Sequence, residues 1–147
     1  MPVFPSVEWF QAVASIINSD EEYRKLGTCD AEVGVQVGER MFQLTFEAFE
    51  VTGVKELSAA DARDLDFTLV LPYQRWKEMI ENIHQNGHAD LTHTLNSIDL
   101  EAAEEFAQAE DYYRRDKFYR FNQSFQHFFD RSARVPTEFA DPAAVGT

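Results

Sequence analysis

The clearest pattern of hydrophobic and polar residues lies between Leu65 and Ile83, where the period changes from two to that of a helix. Apolar and polar positions alternate up to Leu71, which is typical of a strand with one buried face. Pro72 ends this strand because it has no N–H to donate to a sheet. Apolar residues then recur at helical spacing, which predicts an amphipathic helix. The apolar positions are Leu65, Phe67, Leu69 and Leu71 in the strand and Trp76, Met79, Ile80 and Ile83 in the helix.

Two helices and three strands are predicted before this unit. Ser6 is a good N-cap for a first helix, and Asp20 is one for a short second helix that ends at Gly27. Three segments then alternate with period two, and Gly53 indicates a bulge in the third. The predicted ranges are Trp9–Ile17 and Glu21–Leu26 for the helices and Glu32–Val37, Met41–Phe49 and Val51–Leu57 for the strands, followed by an alanine-rich connection, Ser58–Arg63.

Two further helices are predicted after the central unit. Leu100–Tyr113 has the spacing of an acidic amphipathic helix, and Asp116–Ser132 carries five phenylalanines on one broad face. The segment from Val135 contains prolines and small residues, which predicts a flexible tail at residues 135–147. Residues 1–134 are then predicted to form one domain. Strands in a meander with helices on both sides predict an α+β fold with a mainly antiparallel sheet and helices on one face.

Composition is that of a globular protein, with one unusual feature. The 147 residues are 44% hydrophobic and 27% charged, which suits a single folded domain. Thirteen residues are phenylalanine, and aromatic residues make up 14% of the chain. Such a content predicts a very aromatic core or a cavity lined by rings.

Charge is strongly acidic but unevenly distributed. The net charge is −13, which argues against nucleic acid as a partner because that binding depends on neutralising phosphates. Between Arg114 and Arg134 there are six basic and two acidic residues, so this segment is +4 and the remainder is −17.

The cysteine content and the search for targeting and membrane-spanning segments predict a cytoplasmic protein. Cys29 is the single cysteine, so no disulfide within the chain and no thiolate-rich metal site is expected. The first residues lack the basic and apolar regions of a secretory signal, and the last residues are not a peroxisomal address. No apolar run approaches the roughly 20 residues needed to span a bilayer.

Catalytic and metal-binding motifs are weak. His84 and His88 have metal-ligand spacing, but Gly87 should end the helix between them, so surface or capping histidines are the better interpretation. Cys29 has no basic neighbour in sequence to lower its pKa, which favours an inert buried thiol over a nucleophile. No G-x-S-x-G, G-x-G-x-x-G or Walker motif is present. The sequence therefore predicts no enzyme activity, no catalytic residue, no cofactor and no bound metal.

Several short motifs resemble the type-2 sterol carrier protein family over residues 4–85. They are Phe4-x-Ser6-x-Glu8-Trp9, Asn18-x-Asp20-Glu21, Asp66-Phe67-Thr68-Leu69 and Pro72-Tyr73-x-x-Trp76. The resemblance implies a sheet of about five strands with helices on one face, enclosing an apolar tunnel for a sterol, fatty acid, acyl-CoA or phospholipid. The family's glycine-bounded fifth strand has no match between Gly87 and Leu95, so that strand is expected to be shortened or rebuilt.

The aromatic final helix allows three interpretations: a packed core, the wall of a lipid cavity, or a homodimer interface. We expect the cavity, because basic residues flank the rings and would attract an anionic headgroup. The predicted wall residues are those on inward stripes: Phe10, Leu44, Phe46, Leu69, Trp76, Ile80, Phe121 and Phe125. The predicted headgroup residues are Arg114, Arg115 and Lys117. The alternative is a protein-interaction or dimerisation module with a solid core and no lipid ligand.

Overall fold

The computed structural model describes residues 1–58, 61, 64–102 and 105–146, and most of the predicted connection Ser58–Arg63 lies outside that range. Within it the chain forms an α+β domain. The strands are β1 (Val3–Phe4), β2 (Ala31–Val37), β3 (Arg40–Glu47), β4 (Glu50–Leu57), β5 (Phe67–Leu71), β6 (Ala107–Gln108) and β7 (Glu138–Phe139). The helices are α1 (Val7–Ile17), α2 (Glu21–Arg24), α3 (Tyr73–Asn86), α4 (Leu95–Glu101), α5 (Tyr112–Arg120), α6 (Asn122–Asp130) and α7 (Pro142–Val145).

Five strands form the main sheet in the order β4-β3-β2-β5-β6. All neighbouring pairs are antiparallel except β2 and β5, which are parallel, so the sheet is mixed rather than purely antiparallel. Gly34 lies opposite Thr68 in the parallel pair, and a Cβ at Gly34 would lie 2.7 Å from the Thr68 hydroxyl. The predicted bulge near Gly53 is confirmed, because Thr45 pairs with Gly53 but the next residue, Phe46, pairs with Val51.

One face of this sheet is apolar and is covered by the helices. Every second residue of β2, β3 and β5 is buried on that face. The opposite face is polar: the carboxylate of Glu32 accepts hydrogen bonds from Gln43 and Thr45 on β3. A sheet with one apolar face needs one helical layer, which is the arrangement predicted from the sequence.

The central strand–helix unit is confirmed. β5 has the alternating burial predicted for it, and α3 begins directly after Pro72. The apolar side chains of α3 are buried, and Gly87 ends the helix in a left-handed conformation with φ 81°. The indole N–H of Trp76 donates to the carbonyl of Gln36 at 2.8 Å, which joins α3 to β2.

The two predicted N-caps are also confirmed. The Ser6 hydroxyl accepts from the backbone N–H of Trp9, and the Asp20 carboxylate accepts from that of Glu22. These bonds satisfy amide groups that have no partner within the helix. Because the caps fix where α1 and α2 begin, both helices are close to their predicted positions.

The predicted acidic helix Leu100–Tyr113 is wrong. α4 ends at Glu101, and Ala107 and Gln108 instead form β6, which pairs with Leu69 and Thr68 of β5. The carbonyl of Phe106 accepts from the amide of Val70 at 2.9 Å. This segment therefore provides a hydrogen-bond partner for the backbone of β5. The fifth strand expected to be shortened or rebuilt is therefore present as two residues. Ala103 and Glu104, which supported the helical prediction, lie outside the described residues.

The predicted single helix Asp116–Ser132 is divided in two. Phe121 lies between α5 and α6 with φ −111° and ψ 20°, which is outside helical geometry. α6 then continues into one 3-10 turn, Arg131–Arg134. The break lets the two segments present Phe118 and Phe125 to the same apolar layer.

Residues 135–146 do not form the flexible tail expected from the sequence. β7 pairs in parallel with β1, and Val135 and Val145 are buried. The phenol of Tyr73 donates to the carbonyl of Ala140 at 2.7 Å, and the indole of Trp9 donates to the hydroxyl of Thr137 at 3.0 Å. Prolines and small residues thus allow a close-fitting irregular segment here.

Candidate functional site: an aromatic layer between sheet and helices

The predicted wall residues lie in the layer between the sheet and the helices. Seven of the eight are buried, and Phe121 at the α5–α6 break is half-buried. The buried seven are Phe10, Leu44, Phe46, Leu69, Trp76, Ile80 and Phe125. The apolar periodicity of the sequence therefore predicted correctly that these seven side chains face the interior. Burial alone does not distinguish a packed core from a ligand site.

Phenylalanine rings contact one another directly within this layer. Phe125 lies 5.1 Å from Phe46 and 5.3 Å from Phe67, measured between ring centroids, in edge-to-face geometry. Phe118 lies 5.7 Å from Phe67 and stacks parallel to Phe125 at 6.5 Å. We call Phe46, Phe67, Phe118 and Phe125 the ring cluster. Its four side chains come from β3, β5, α5 and α6, so it joins the sheet to α5 and α6.

A groove of about 490 Å³ opens beside the ring cluster, where β2 begins and β3 ends. Phe46 lies at its apolar side and Lys117 of α5 at its rim. The ammonium of Lys117 is 3.1 Å from Oδ1 of Asp66, whose Oδ2 accepts from the amide of Glu32 at 2.7 Å. The groove is lined by Asp30, Ala31, Glu32, Phe46, Glu47, Ala48, Asp66 and Lys117.

A second groove of about 590 Å³ lies between β6 and the start of α5. Arg115 lines it, and its Nε donates to the outward carbonyl of Ala107 at 2.8 Å. This bond covers a backbone acceptor that an edge strand would otherwise leave unpaired. Arg115 therefore has a structural partner in addition to any role in binding.

The three predicted headgroup residues do not converge on one point. Arg115 lines the groove at β6, whereas Lys117 lines the groove at Phe46. Arg114 is the most exposed of the three and lies 3.6 Å from the carboxylate of Glu110. Each cation has a carboxylate neighbour, so an anionic ligand would exchange with an internal partner rather than meet a free charge.

Sequence reasoning missed several residues around the layer. Asp66 was read only as a polar position in a strand, and its pairing with Lys117 joins residues 51 positions apart, which no local pattern reveals. Asp99 is buried and accepts from the Tyr119 hydroxyl at 2.9 Å, and it lies outside the helices and strands that the sequence predicts. Phe67 and Phe118 had the correct spacing, and their alternation with other inward residues was the available signal.

Cys29 is fully buried next to the groove at Phe46. Its amide donates to the carbonyl of Ala48 at 2.8 Å, and the adjacent Asp30 lines the groove. Burial raises the pKa of the Cys29 thiol to about 12, and Asp30 adds to that effect. A thiol with such a pKa is unreactive at neutral pH, as expected from the sequence.

Histidines and carboxylates do not assemble into a cluster of three or more that could hold a metal, within the residues that the structure describes. His93 contacts Asp90 at 2.8 Å and Glu78 at 3.4 Å, and the hydrogen bond with Asp90 raises the pKa of His93. His84 has its pKa lowered by burial. His127 contacts the Asp20 carboxylate at 2.8 Å, so it serves a structural contact between α6 and α2.

Comparison with known proteins gives a fold but no family. No family model matches the chain, and no curated protein does. The chain is similar to the solution structure of a conserved hypothetical protein of Thermus thermophilus, described as a possible sterol carrier protein. The TM-score is 0.61 at 16% sequence identity, over 89% of this chain and 88% of that chain. This likeness shows a sterol-carrier-like α+β fold. No helix in the described parts of the chain is long and apolar enough to cross a membrane.

Proposed function

We propose that this protein binds a hydrophobic ligand between its sheet and its helices and does so without catalysing a reaction. Ligands of suitable chemistry are a fatty acid, an acyl-CoA, a phospholipid or a sterol. The sterol-carrier-like fold supports this proposal, as does an interior built from aromatic side chains. Phenylalanine suits such a site because its ring offers apolar area without a polar group that needs a partner.

The observation that carries the proposal is the groove at Phe46. Phe46 lines this groove and its ring contacts Phe125, so the groove lies next to the ring cluster. Its volume of about 490 Å³ is within the usual range for small-molecule sites. An apolar chain that displaced these rings would lie between β3 and α6.

Lys117 would make the groove at Phe46 favour ligands with an anionic end. Its ammonium is at the rim of the groove, close to where a carboxylate would remain when an acyl chain entered. A ligand carboxylate would then replace Asp66 as the partner of Lys117. The predicted roles of Arg114 and Arg115 stay within this proposal as flanking positive charge.

The test is a titration with a fluorescent fatty acid, followed by displacement with unlabelled fatty acid and with sterol. We expect saturable binding at micromolar strength and full displacement by at least one of the two. Absence of saturable binding across fatty acid, acyl-CoA, phospholipid and sterol would reject the proposal. The protein would then be an interaction module with a solid core, for which the direct ring contacts already provide a structural basis.

Phe125→Ala is expected to alter ligand binding as well as stability. Removing a buried phenylalanine costs about 3–5 kcal/mol, and less where the remaining space is filled by ligand. Because Phe125 is the centre of the ring cluster, we expect a change in preferred chain length and at least about a tenfold change in affinity per folded molecule. Phe4→Ala is the matched control, since the Phe4 ring contacts Trp9 and Tyr73 instead. Equal affinity in the two variants would show that Phe125 is only core.

Lys117→Met is expected to reduce the preference for fatty acid over sterol. An ion pair at a partly exposed site contributes about 0.2–1 kcal/mol, so the ratio of the two affinities should fall about 1.4- to fivefold. The ratio is the useful quantity, because any general change in access affects both ligands equally. Arg120→Met is the control, since Arg120 pairs with Asp116 at 2.8 Å on the outer side of the same helix. An unchanged ratio in Lys117→Met would contradict the headgroup role.

A further inference from the structure

α5 is attached to the rest of the protein by a single apolar side chain. Of its nine residues, all of which the structure describes, Phe118 alone is buried. Tyr112 and Tyr113 at its start are 83% and 88% exposed. The apolar anchoring of α5 is thus of the order of one phenylalanine, whereas α1 and α3 each bury five side chains. Low apolar burial of this kind is typical of segments that open locally while the domain stays folded.

Polar contacts supply the remaining attachment of α5. Lys117 pairs with Asp66, Arg115 donates to the carbonyl of Ala107, and Tyr119 contacts Asp99. The Lys117–Asp66 pair is partly exposed and therefore individually weak. Asp99 is buried, and a guanidinium nitrogen of Arg115 also lies 3.8 Å from its carboxylate. The other ion pairs of α5, with Glu110, Asp111 and Asp116, lie within or next to the helix and stabilise it without tying it to the sheet.

Phe121 provides a pivot at the end of α5. Its backbone leaves helical geometry, and α6 beyond it is anchored by Ser124, Phe125, Phe128 and Phe129. A rotation at this residue would move α5 while leaving α6 in place. Hinges of this type are a few element-terminal residues that absorb the change in φ and ψ.

We propose that α5 is a lid over the ring cluster that turns about Phe121 and is latched by the Lys117–Asp66 ion pair, so that a hydrophobic ligand enters when the latch opens. The route of the ligand rests on the proposed function, whereas the opening of α5 does not. Because the four rings contact each other in the closed arrangement, a ligand needs one of them to leave. Phe118 is the ring that α5 carries away, and its departure uncovers Phe67 and Phe125.

Cys29 offers a reporter of this opening that needs no ligand. It is fully buried, and the next residue, Asp30, lines the groove at which Lys117 and Asp66 meet. A soluble thiol reagent can therefore reach Cys29 only in molecules that have opened.

The experiment measures the rate at which an aromatic disulfide reagent labels Cys29 in the ligand-free protein at pH 8. Lys117→Met removes the latch and keeps the apolar stem, so labelling should become about 1.4- to fivefold faster. Arg120→Met, which breaks a pair on the outer side of α5, should label at the rate of the unmodified protein. Equal rates in Lys117→Met and Arg120→Met would overturn the latch.

The denaturant dependence of labelling separates lid opening from global unfolding. Opening of α5 exposes little surface, so the labelling rate should depend only weakly on low concentrations of urea. A slope equal to that of global unfolding would mean that Cys29 is reached only in unfolded molecules, and the lid would be rejected.

Ligand uptake completes the test and distinguishes the lid from the proposed function. If a fluorescent fatty acid binds, its association rate should rise in Lys117→Met by the same factor as the labelling rate. Faster labelling with unchanged uptake would overturn α5 as the ligand's route. Faster labelling with no binding in any variant would support the hinged lid and reject lipid binding.

Discussion

Replacing Trp76 with alanine is expected to destabilise the protein by about 3–5 kcal/mol, because the substitution removes the largest fully buried side chain of α3. The Trp76 ring stacks on Phe129 at 5.3 Å and contacts Phe106 at 6.1 Å. The substitution also removes the donor to the Gln36 carbonyl, which leaves a partly buried acceptor without this partner. Trp76 therefore joins α3 to β2, to α6 and to the segment before β6. Chemical denaturation followed by circular dichroism measures the loss.

Gln74→Ala is the matched control for this prediction. Gln74 is exposed two residues earlier on α3, so its replacement should change the free energy of unfolding by less than about 0.5 kcal/mol. A loss below about 1 kcal/mol for Trp76→Ala would contradict the central strand–helix core.

Replacing Asp20 with alanine is expected to cost about 3 kcal/mol, near the lower end of the range for removing one partner of a buried ion pair. The Asp20 carboxylate is 2.5 Å from Nε of Arg131 and 2.8 Å from Nε2 of His127, and it also caps α2. Its loss would leave the Arg131 guanidinium, whose side chain is 14% exposed, with Glu22 as its remaining acidic partner. Thermal and denaturant unfolding measure the effect.

Asp20→Asn separates the cap from the charge, since asparagine is an equally good N-cap. If the ion pair dominates, asparagine should recover only a minor part of the lost stability. Full recovery by asparagine would show that the cap alone carries the contribution.

The contribution of Asp20 should also depend on pH in a defined direction. Burial acts to raise the pKa of Asp20, but hydrogen bonds with His127 and Arg131 outweigh it and hold the pKa well below its ordinary value. A carboxyl group with a depressed folded-state pKa stabilises the fold above its unfolded pKa of about 3.9 and loses that effect as the pH falls further. The stability difference between the unmodified protein and Asp20→Asn should therefore persist down to about pH 5 and shrink below about pH 4. A difference that shrinks between pH 8 and pH 5 would contradict this assignment.

Local patterns predicted the elements whose burial and caps are encoded in neighbouring residues. β5 and α3 follow from a change of period at Pro72, and α1 and α2 follow from Ser6 and Asp20 as caps. In each case the side chains that set the structure lie within a few residues of it. Such signals are strong when burial, capping and turn chemistry agree.

The segment between α3 and α6 could not be predicted because its structure depends on distant partners. Phe106 and Ala107 would fit the apolar face of a helix equally well, but their segment instead hydrogen-bonds to the free edge of β5. The parallel pairing of β2 with β5 likewise depends on how the whole sheet assembles, because the meander pattern of the sequence favours antiparallel neighbours. Residues 135–146 pack through Val135 and Val145, two isolated apolar residues in a segment with no periodicity.

For the candidate site, the sequence identified the inward rings but not their surroundings. Phe46 and Phe125 were chosen because they lie on apolar stripes, and the structure brings them into contact. The pairing of Lys117 with Asp66 and the break at Phe121 have no sequence signal, because each depends on how α5 meets the sheet. Of the three basic residues that suggested one headgroup site, Arg115 and Lys117 line different grooves, and Arg114 is not among the lining residues of either.

Native mass spectrometry of protein purified from its own host is the most direct test of hydrophobic ligand binding. The account predicts one retained hydrophobic molecule per chain, which dissociates on activation and is identified by its mass. Phe125→Ala should retain less of it or a different chain length, and Phe4→Ala should retain the same molecule. A chain that carries no ligand, and that takes up none when lipids are added before analysis, would contradict the account.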